Sequence, residues 1–168
     1  AALYWLARMI EGGEDVKFIA RRMLILASED IGNANPTALI LANNTFQAVT
    51  TIGFPESRII LSQCAIYLAN SAKSNSSYEA IGKAQKLVRE TGDLPVPLYL
   101  RNAPTQLMKD LDYGKDYKYA HNFENNFSDQ EFLPEEIKNT KLYEPGNNVR
   151  EKGFKEFLKK RWKNKYNY

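Results

Sequence analysis

Five times in its first 92 residues the chain repeats one arrangement, a run of apolar side chains at helical spacing closed by glycine or a polar turn. Leu3, Leu6, Ala7 and Ile10 stand at i, i+3, i+4 and i+7, and Gly12-Gly13 follows. Glu14 and Asp15 come next, where the dipole of a second helix favours carboxylates, and Val16, Ile19, Ala20, Met23 and Ala27 line its face. Asn35-Pro36 reads as the cap and first residue of a third helix. Leu39, Ala42, Phe46 and Val49 form its expected buried stripe, and Gly53 ends it. A fourth helix opens near Pro55-Glu56 and turns Ile60, Cys64, Tyr67 and Leu68 inward. Ser76 with Glu79 makes a capping box for a fifth, which carries Tyr78, Ile81, Ala84 and Val88 on one side as far as Gly92. No strand-like alternation of useful length occurs. The spacing predicts an all-α array of helices joined by short turns.

From residue 91 to residue 148 the character changes. Pro95, Pro97, Pro104, Pro134 and Pro145 lie here, with the rings of Tyr99, Tyr113, Tyr117, Tyr119, Phe123, Phe127, Phe132 and Tyr143. Only Ala103–Leu111 has a helical look, with Pro104 at its start. So many rings argue against disorder, and the segment reads as a long irregular arm pinning its aromatics on the helical layer. A last helix, about Val149 to Lys163, places Phe154, Phe157, Leu158 and Trp162 on a stripe. The expected organisation is a helical core over 1–90, the arm over 91–148 and a basic helix and tail over 149–168, together one domain. A length of 168 residues fits that.

Composition narrows the chemistry. A single cysteine, Cys64, excludes an intrachain disulfide and any Cys-rich zinc site, and His121 is the only histidine. Glycines do not fall in phosphate-loop order: Gly82-Lys83 and Gly114-Lys115 each lack the earlier glycine and the following Ser/Thr. No dinucleotide fingerprint or nucleophile elbow occurs. Glu14-Asp15 and Glu29-Asp30 are adjacent on helices and point apart, as solvated charges do. Lys17, Arg21 and Arg22 read as a wet helix face. His121, with Glu124 nearby in sequence, is the one conceivable acid–base pair for a small hydrolase or transferase, and a structural histidine is the simpler reading.

Charge is unevenly placed. Residues 1–149 carry 15 basic against 18 acidic side chains, and residues 150–168 carry 8 against 2. In that tail Lys159, Lys160, Arg161, Lys163 and Lys165 cluster around Trp162, Tyr166 and Tyr168. Basic groups interleaved with rings suit single-stranded nucleic acid, by phosphate neutralisation and base stacking. A solvated, frayed terminus has the same composition. The first helix opens without a cap, as expected of a C-terminal piece of a longer protein.

Read in order, several strings are specific. They include Ala2-Leu3-Tyr4-Trp5-Leu6-Ala7-Arg8-Met9, Gly12-Gly13-Glu14-Asp15, Ile19-Ala20-Arg21-Arg22, and Ala27 with Ser28, Glu29, Asp30, Ile31 and Gly32. Further on come Tyr67-Leu68-Ala69, then Lys73, Ser74 and Asn75, Val96-Pro97-Leu98, and Leu100-Arg101-Asn102-Ala103-Pro104-Thr105. Last stands the run Tyr113, Gly114, Lys115, Asp116, Tyr117, Lys118, Tyr119, with His121 just beyond. Together these resemble the C-terminal part of the replication-associated recombination protein A family, also called MgsA or RarA, whose eukaryotic relative is the Werner-helicase-interacting ATPase. The sequence departs from that pattern with Val16 for proline, Tyr99 for histidine, and Asn35 and Asn122 for aspartate.

The resemblance implies a helical domain like the C-terminal collar of clamp loaders, holding a homotetramer of a AAA+ ATPase together. It implies work in replication-fork maintenance, DNA repair and recombination, on single-stranded or gapped DNA, with single-strand-binding protein as a partner. ATP and magnesium would belong to an ATPase part preceding this chain, leaving this chain without cofactor, metal or catalytic residues of its own. The expected setting is the bacterial cytoplasm, near the nucleoid and away from membranes. The alternative expectation is a stand-alone helical nucleic-acid-binding module that works through the basic tail.

Overall fold

The computed structural model describes residues 1–168. Seven helices form, α1 Ala2–Glu11, α2 Val16–Leu26, α3 Thr37–Ile52, α4 Ser57–Ala69, α5 Ser76–Thr91, α6 Gln106–Asp110 and α7 Val149–Trp162, and no strand is present. The chain divides into two compact units, the first comprising Ala1–Ile81 and Pro145–Phe154, the second Gly82–Glu144 and Lys155–Tyr168.

In the first unit, α2 packs on α3 and α4, α3 on α4, and α1 on α4. One half of the core gathers Leu6, Ile19, Ala20, Val49, Leu61 and Ala65; the other gathers Ala27, Ile31, Ala38, Ala42, Cys64 and Leu68. Ala20, Ala38 and Ala42 are wholly enclosed, and alanine at such crossings lets helix backbones approach closely. The Asp15 carboxylate accepts from the Lys17 N–H (2.9 Å) and so caps α2. Beyond Leu26 the helix widens into a single broad turn over Ala27–Ile31, which turns Ala27 and Ile31 into the core and leaves Ser28, Glu29 and Asp30 in solvent.

Three expectations need adjusting. The buried face of α3 is Ala38, Ala42, Thr45 and Val49, Phe46 is half-buried, and Leu39 points outward. The periodicity is correct but the stripe is rotated, because the neighbours of α3 come close enough to admit only small residues. Asn35 does not cap α3: its side-chain amide donates to the Tyr67 hydroxyl (3.1 Å) and the Ser71 hydroxyl (3.0 Å), tying the α3 approach to α4. Ser76 likewise does not make the capping box. The Asn75 side-chain amide instead donates to Glu79 Oε1 (3.0 Å), and the Ser76 hydroxyl turns to Glu151.

The second unit has little regular structure. Thr105 caps α6 by accepting from the Met108 N–H (3.3 Å), so this short helix begins two residues past Pro104. Ser128 and Gln130 are its buried side chains. The unit is held by polar contacts: the Tyr99 hydroxyl donates to the Glu131 carbonyl (2.8 Å), and the Lys118 N–H to Gln130 Oε1 (3.1 Å). In α7, Phe154, Leu158 and Trp162 are half-buried and Phe157 is exposed.

Candidate nucleic-acid interface

The tail residues Lys159, Lys160, Arg161, Trp162, Lys163 and Lys165 gather where α7 ends. Basic groups in a last turn suit the negative end of the helix dipole, which is one physical reason for them. Lys163 lies in the left-handed region (φ 51°) and stops the helix. Opposite, the chain from Phe123 to Phe127 turns through Asn125 and Asn126, both left-handed (φ 56° and 52°), a conformation asparagine tolerates better than most residues. Between the two runs lies a half-open cavity of about 510 Å³, walled by Phe123, Phe127, Phe157, Trp162 and the basic side chains of α7.

Arg161 is fixed inside this wall. Its guanidinium lies 4.3 Å from the Phe157 ring centre and 5.2 Å from that of Phe127, and it donates to the Asn125 carbonyl (3.2 Å). Trp162 meets Phe127 edge-on at 4.9 Å and Tyr166 at 5.1 Å. Lys165 sits 4.8 Å from the Trp162 ring centre and pairs with Glu131 at 3.1 Å. Glu131 also accepts from the N–H groups of Phe132 (2.9 Å), Leu133 (3.0 Å) and Asn139 (3.3 Å). Partial burial pulls this carboxyl up, but the bonds from Leu133, Lys165, Phe132 and Asn139 outweigh it and hold the group below the usual glutamate range. Lys159, Lys160 and Lys163 point to solvent.

The motif strings meet at two junctions, one in each unit. The strings around residues 28–32 and 73–75 meet in the first unit, where the Ser74 N–H donates to the Asp30 carbonyl (2.8 Å). Gly32 (φ 49°) faces the Ser74 carbonyl so closely that a Cβ there would stand 2.9 Å from its oxygen. The exposed side chains of Ser28, Glu29, Lys73 and Asn75 flank this junction. In the second unit Arg101 ties two further strings together. Its Nε donates to the Val96 carbonyl (2.7 Å), beside Pro97, and its guanidinium donates to the Tyr113 hydroxyl (3.2 Å) over the same ring. The Gly114 N–H closes the junction on the Leu98 carbonyl (2.9 Å). Tyr117, Tyr119 and His121 are exposed, with Tyr119 and His121 ring to ring at 5.1 Å. Glu124, also exposed, accepts from the Asn125 side chain (3.3 Å).

Sequence reasoning missed the far wall of the cavity, Phe123 to Phe127, and the role of Glu131. The adjacent asparagines Asn125-Asn126 were the available signal for a tight turn. It also passed over Asn148, which caps α7 by accepting from the Glu151 N–H (3.0 Å) in an Asn-x-x-Glu box.

The family described as MgsA AAA+ ATPase C terminal matches residues 1–162. The replication-associated recombination protein A of Coxiella burnetii is 48% identical over 159 residues, covering 94% of this chain and 36% of that protein. The Escherichia coli K12 protein of the same name is 45% identical over 148 residues, covering 88% and 33% respectively. ATPase WRNIP1 of Dictyostelium discoideum is 47% identical over 145 residues, covering 86% of this chain and 17% of that protein. The chain thus spans about a third of the length of its bacterial relatives, or less. No helix is long and apolar enough to cross a membrane. The chain belongs to the RarA/MgsA family of AAA+ ATPases, as its C-terminal region.

Proposed function

We propose that this chain is the oligomerisation, or collar, domain of a clamp-loader-like AAA+ ATPase that acts in replication-fork maintenance, DNA repair and recombination. Four copies assemble, and ATP and magnesium are handled by an ATPase part of the parent protein and not by this chain. The basic tail faces single-stranded or gapped DNA, and single-strand-binding protein is the expected protein partner. The setting is the bacterial cytoplasm close to the nucleoid.

The observation that carries this reading is on α5. Tyr78, Ile81 and Val88 share one side of the helix, yet they are 59%, 57% and 62% exposed. An amphipathic helix whose apolar side is left in water is a helix with an absent partner. A second copy of the chain is the simplest partner for a family member, since a symmetric assembly buries the same face on every subunit. The test is an Ile81→Asp, Val88→Asp double variant. It should retain the helical circular-dichroism spectrum and sediment as a monomer under conditions where the unaltered chain is assembled. A variant with unchanged mass would reject α5 as the interface.

The second reading, a helical nucleic-acid module independent of assembly, is favoured by the cluster of Lys159, Lys160 and Lys163 in solvent at the end of α7. Deleting residues 159–168 should then abolish DNA binding and leave the assembled mass unchanged.

A further inference from the structure

The cavity at the end of α7 is aromatic and cationic at once. Phe123 and Phe157 are 42% and 55% exposed, and Phe127 and Trp162 stand half-buried beside them. Two carboxylates reach the wall, Glu124 and Asp129, and Asp129 is already paired with Lys118 at 3.3 Å. Lys165 is neutralised by Glu131, whereas Lys160, Arg161 and Lys163 take part in none of the ion pairs. The wall therefore offers net positive charge together with exposed ring faces.

A polyanion that carries flat apolar rings satisfies both features. A duplex hides those rings in its stack, so the matching ligand is a single strand, whose unpaired bases present their faces. A volume of about 510 Å³ falls in the range of small-ligand sites. That is room for one nucleotide and not for a run of stacked bases. Arg161, between Phe127 and Phe157 and bonded to the Asn125 carbonyl, bridges the two walls.

We infer that this cavity takes one unpaired base of single-stranded DNA, packed against the exposed rings of both Phe123 and Phe157, with the flanking phosphates on Lys160 and Lys163. The inference rests on the reading of the basic tail as a DNA contact and deepens it from a charged surface to a pocket that requires a base. Arg161 is a positioning residue in this arrangement.

The test uses the full 168-residue chain carrying Trp5→Phe, so that indole emission comes from Trp162. Labelled oligothymidylate is followed by anisotropy and by quenching of that emission. Oligothymidylate should bind and quench, and an abasic strand of equal length should bind about tenfold more weakly. Phe123→Leu and Phe157→Leu should each weaken oligothymidylate binding about tenfold with the salt dependence unchanged. Lys160→Gln with Lys163→Gln should flatten the salt dependence. A thermal melt accompanies each variant, and the two rings are changed separately so that one folding failure leaves the other to decide.

If the abasic strand and both ring variants bind as well as their references while the lysine variant loses affinity, the pocket is overturned and the tail reading stands. If free thymidylate competes as strongly as the strand, the site is one for mononucleotides and the inference is overturned. If the unaltered chain does not bind oligothymidylate at low salt, the tail reading and the pocket fall together.

Discussion

The Ser76 hydroxyl donates to the carboxylate of Glu151, 75 residues further along the chain, and Glu151 has no exposure to solvent at all. The same carboxylate accepts from the Asn148 side chain, and its N–H is capped by Asn148 in return. One acidic residue thus joins the first turn of α7 to the first turn of α5 inside the first unit. A buried carboxylate needs such partners, because desolvation is costly unless hydrogen bonds replace water. Ser76→Ala removes one of them and should lower unfolding free energy by about 1–3 kcal/mol. Urea unfolding followed by circular dichroism measures this, and an unchanged midpoint would mean that the hydroxyl contributes nothing.

Gly146 stands against the same carboxylate. A Cβ at this position would lie 2.8 Å from Glu151 Oε2 and 3.1 Å from Ser74 Oγ. Neither group can retreat without losing a hydrogen bond that it makes. Gly146→Ala should therefore destabilise by about 1–3 kcal/mol, as overpacking does. Gly153, with open space where its Cβ would be, provides the control: Gly153→Ala on α7 should be neutral or stabilising, since alanine is the better helix former. Equal melting temperatures for the two variants would contradict this account.

Truncations should rank by enclosure. Leu61 is wholly buried, so Leu61→Ala should cost about 2–5 kcal/mol. Phe46, half-buried, should cost less than the ~3–5 kcal/mol of an enclosed phenylalanine. Leu39→Ala, on the outer side of α3, should stay within about 0.5 kcal/mol in the monomeric chain. Denaturant midpoints in the reverse order would return the α3 stripe to the one read from periodicity.

Cys64 should resist thiol reagents in the folded chain. It is fully enclosed, and burial pushes its thiol pKa up, with a hydrogen bond to Thr45 acting the other way more weakly. The reactive thiolate is therefore scarce as well as inaccessible. Aromatic disulfide reagents should label it only at the rate of unfolding, and rapid labelling of the native chain would refute that.

Acid should loosen the second unit first around Glu131. Its folded pKa lies below the unfolded value, so its contribution is present above the ordinary glutamate range and lost as pH falls through the folded value. Trp162 emission, again with Trp5→Phe, should hold steady from neutral to about pH 5 and change below about pH 4. Glu131→Gln should remove most of this change. Asp129 and Glu144 are lowered too, by Lys118 and Lys141, but they are exposed pairs and contribute little. The same acid transition in Glu131→Gln would rule out this carboxylate as its source.

Helix number was legible, and so was part of the core (Leu6, Ile19, Ala20, Ala27, Ala42, Val49, Cys64 and Leu68), because the 3.6-residue period and its glycine stops are local signals. Phase was less so: the α3 stripe depends on how near its neighbours come, which only tertiary packing decides. Ser76 and Asn35 have the chemistry of helix caps, and each was diverted to a partner far along the chain, Glu151 and Tyr67 respectively. The basic half of the candidate site was visible as a charge cluster. Trp162 was visible with it; the facing wall was not, because Phe127 meets Arg161 and Trp162 only across 33 and 34 intervening residues, a separation that local sequence signals do not span.

The proposal that this region assembles the parent protein is decided by the absolute mass of the chain from light scattering after gel filtration, across a concentration series. A stable multiple of 19.2 kDa is expected, fourfold for a tetrameric collar. A monomer at every concentration would contradict it and leave the basic tail as what this region contributes.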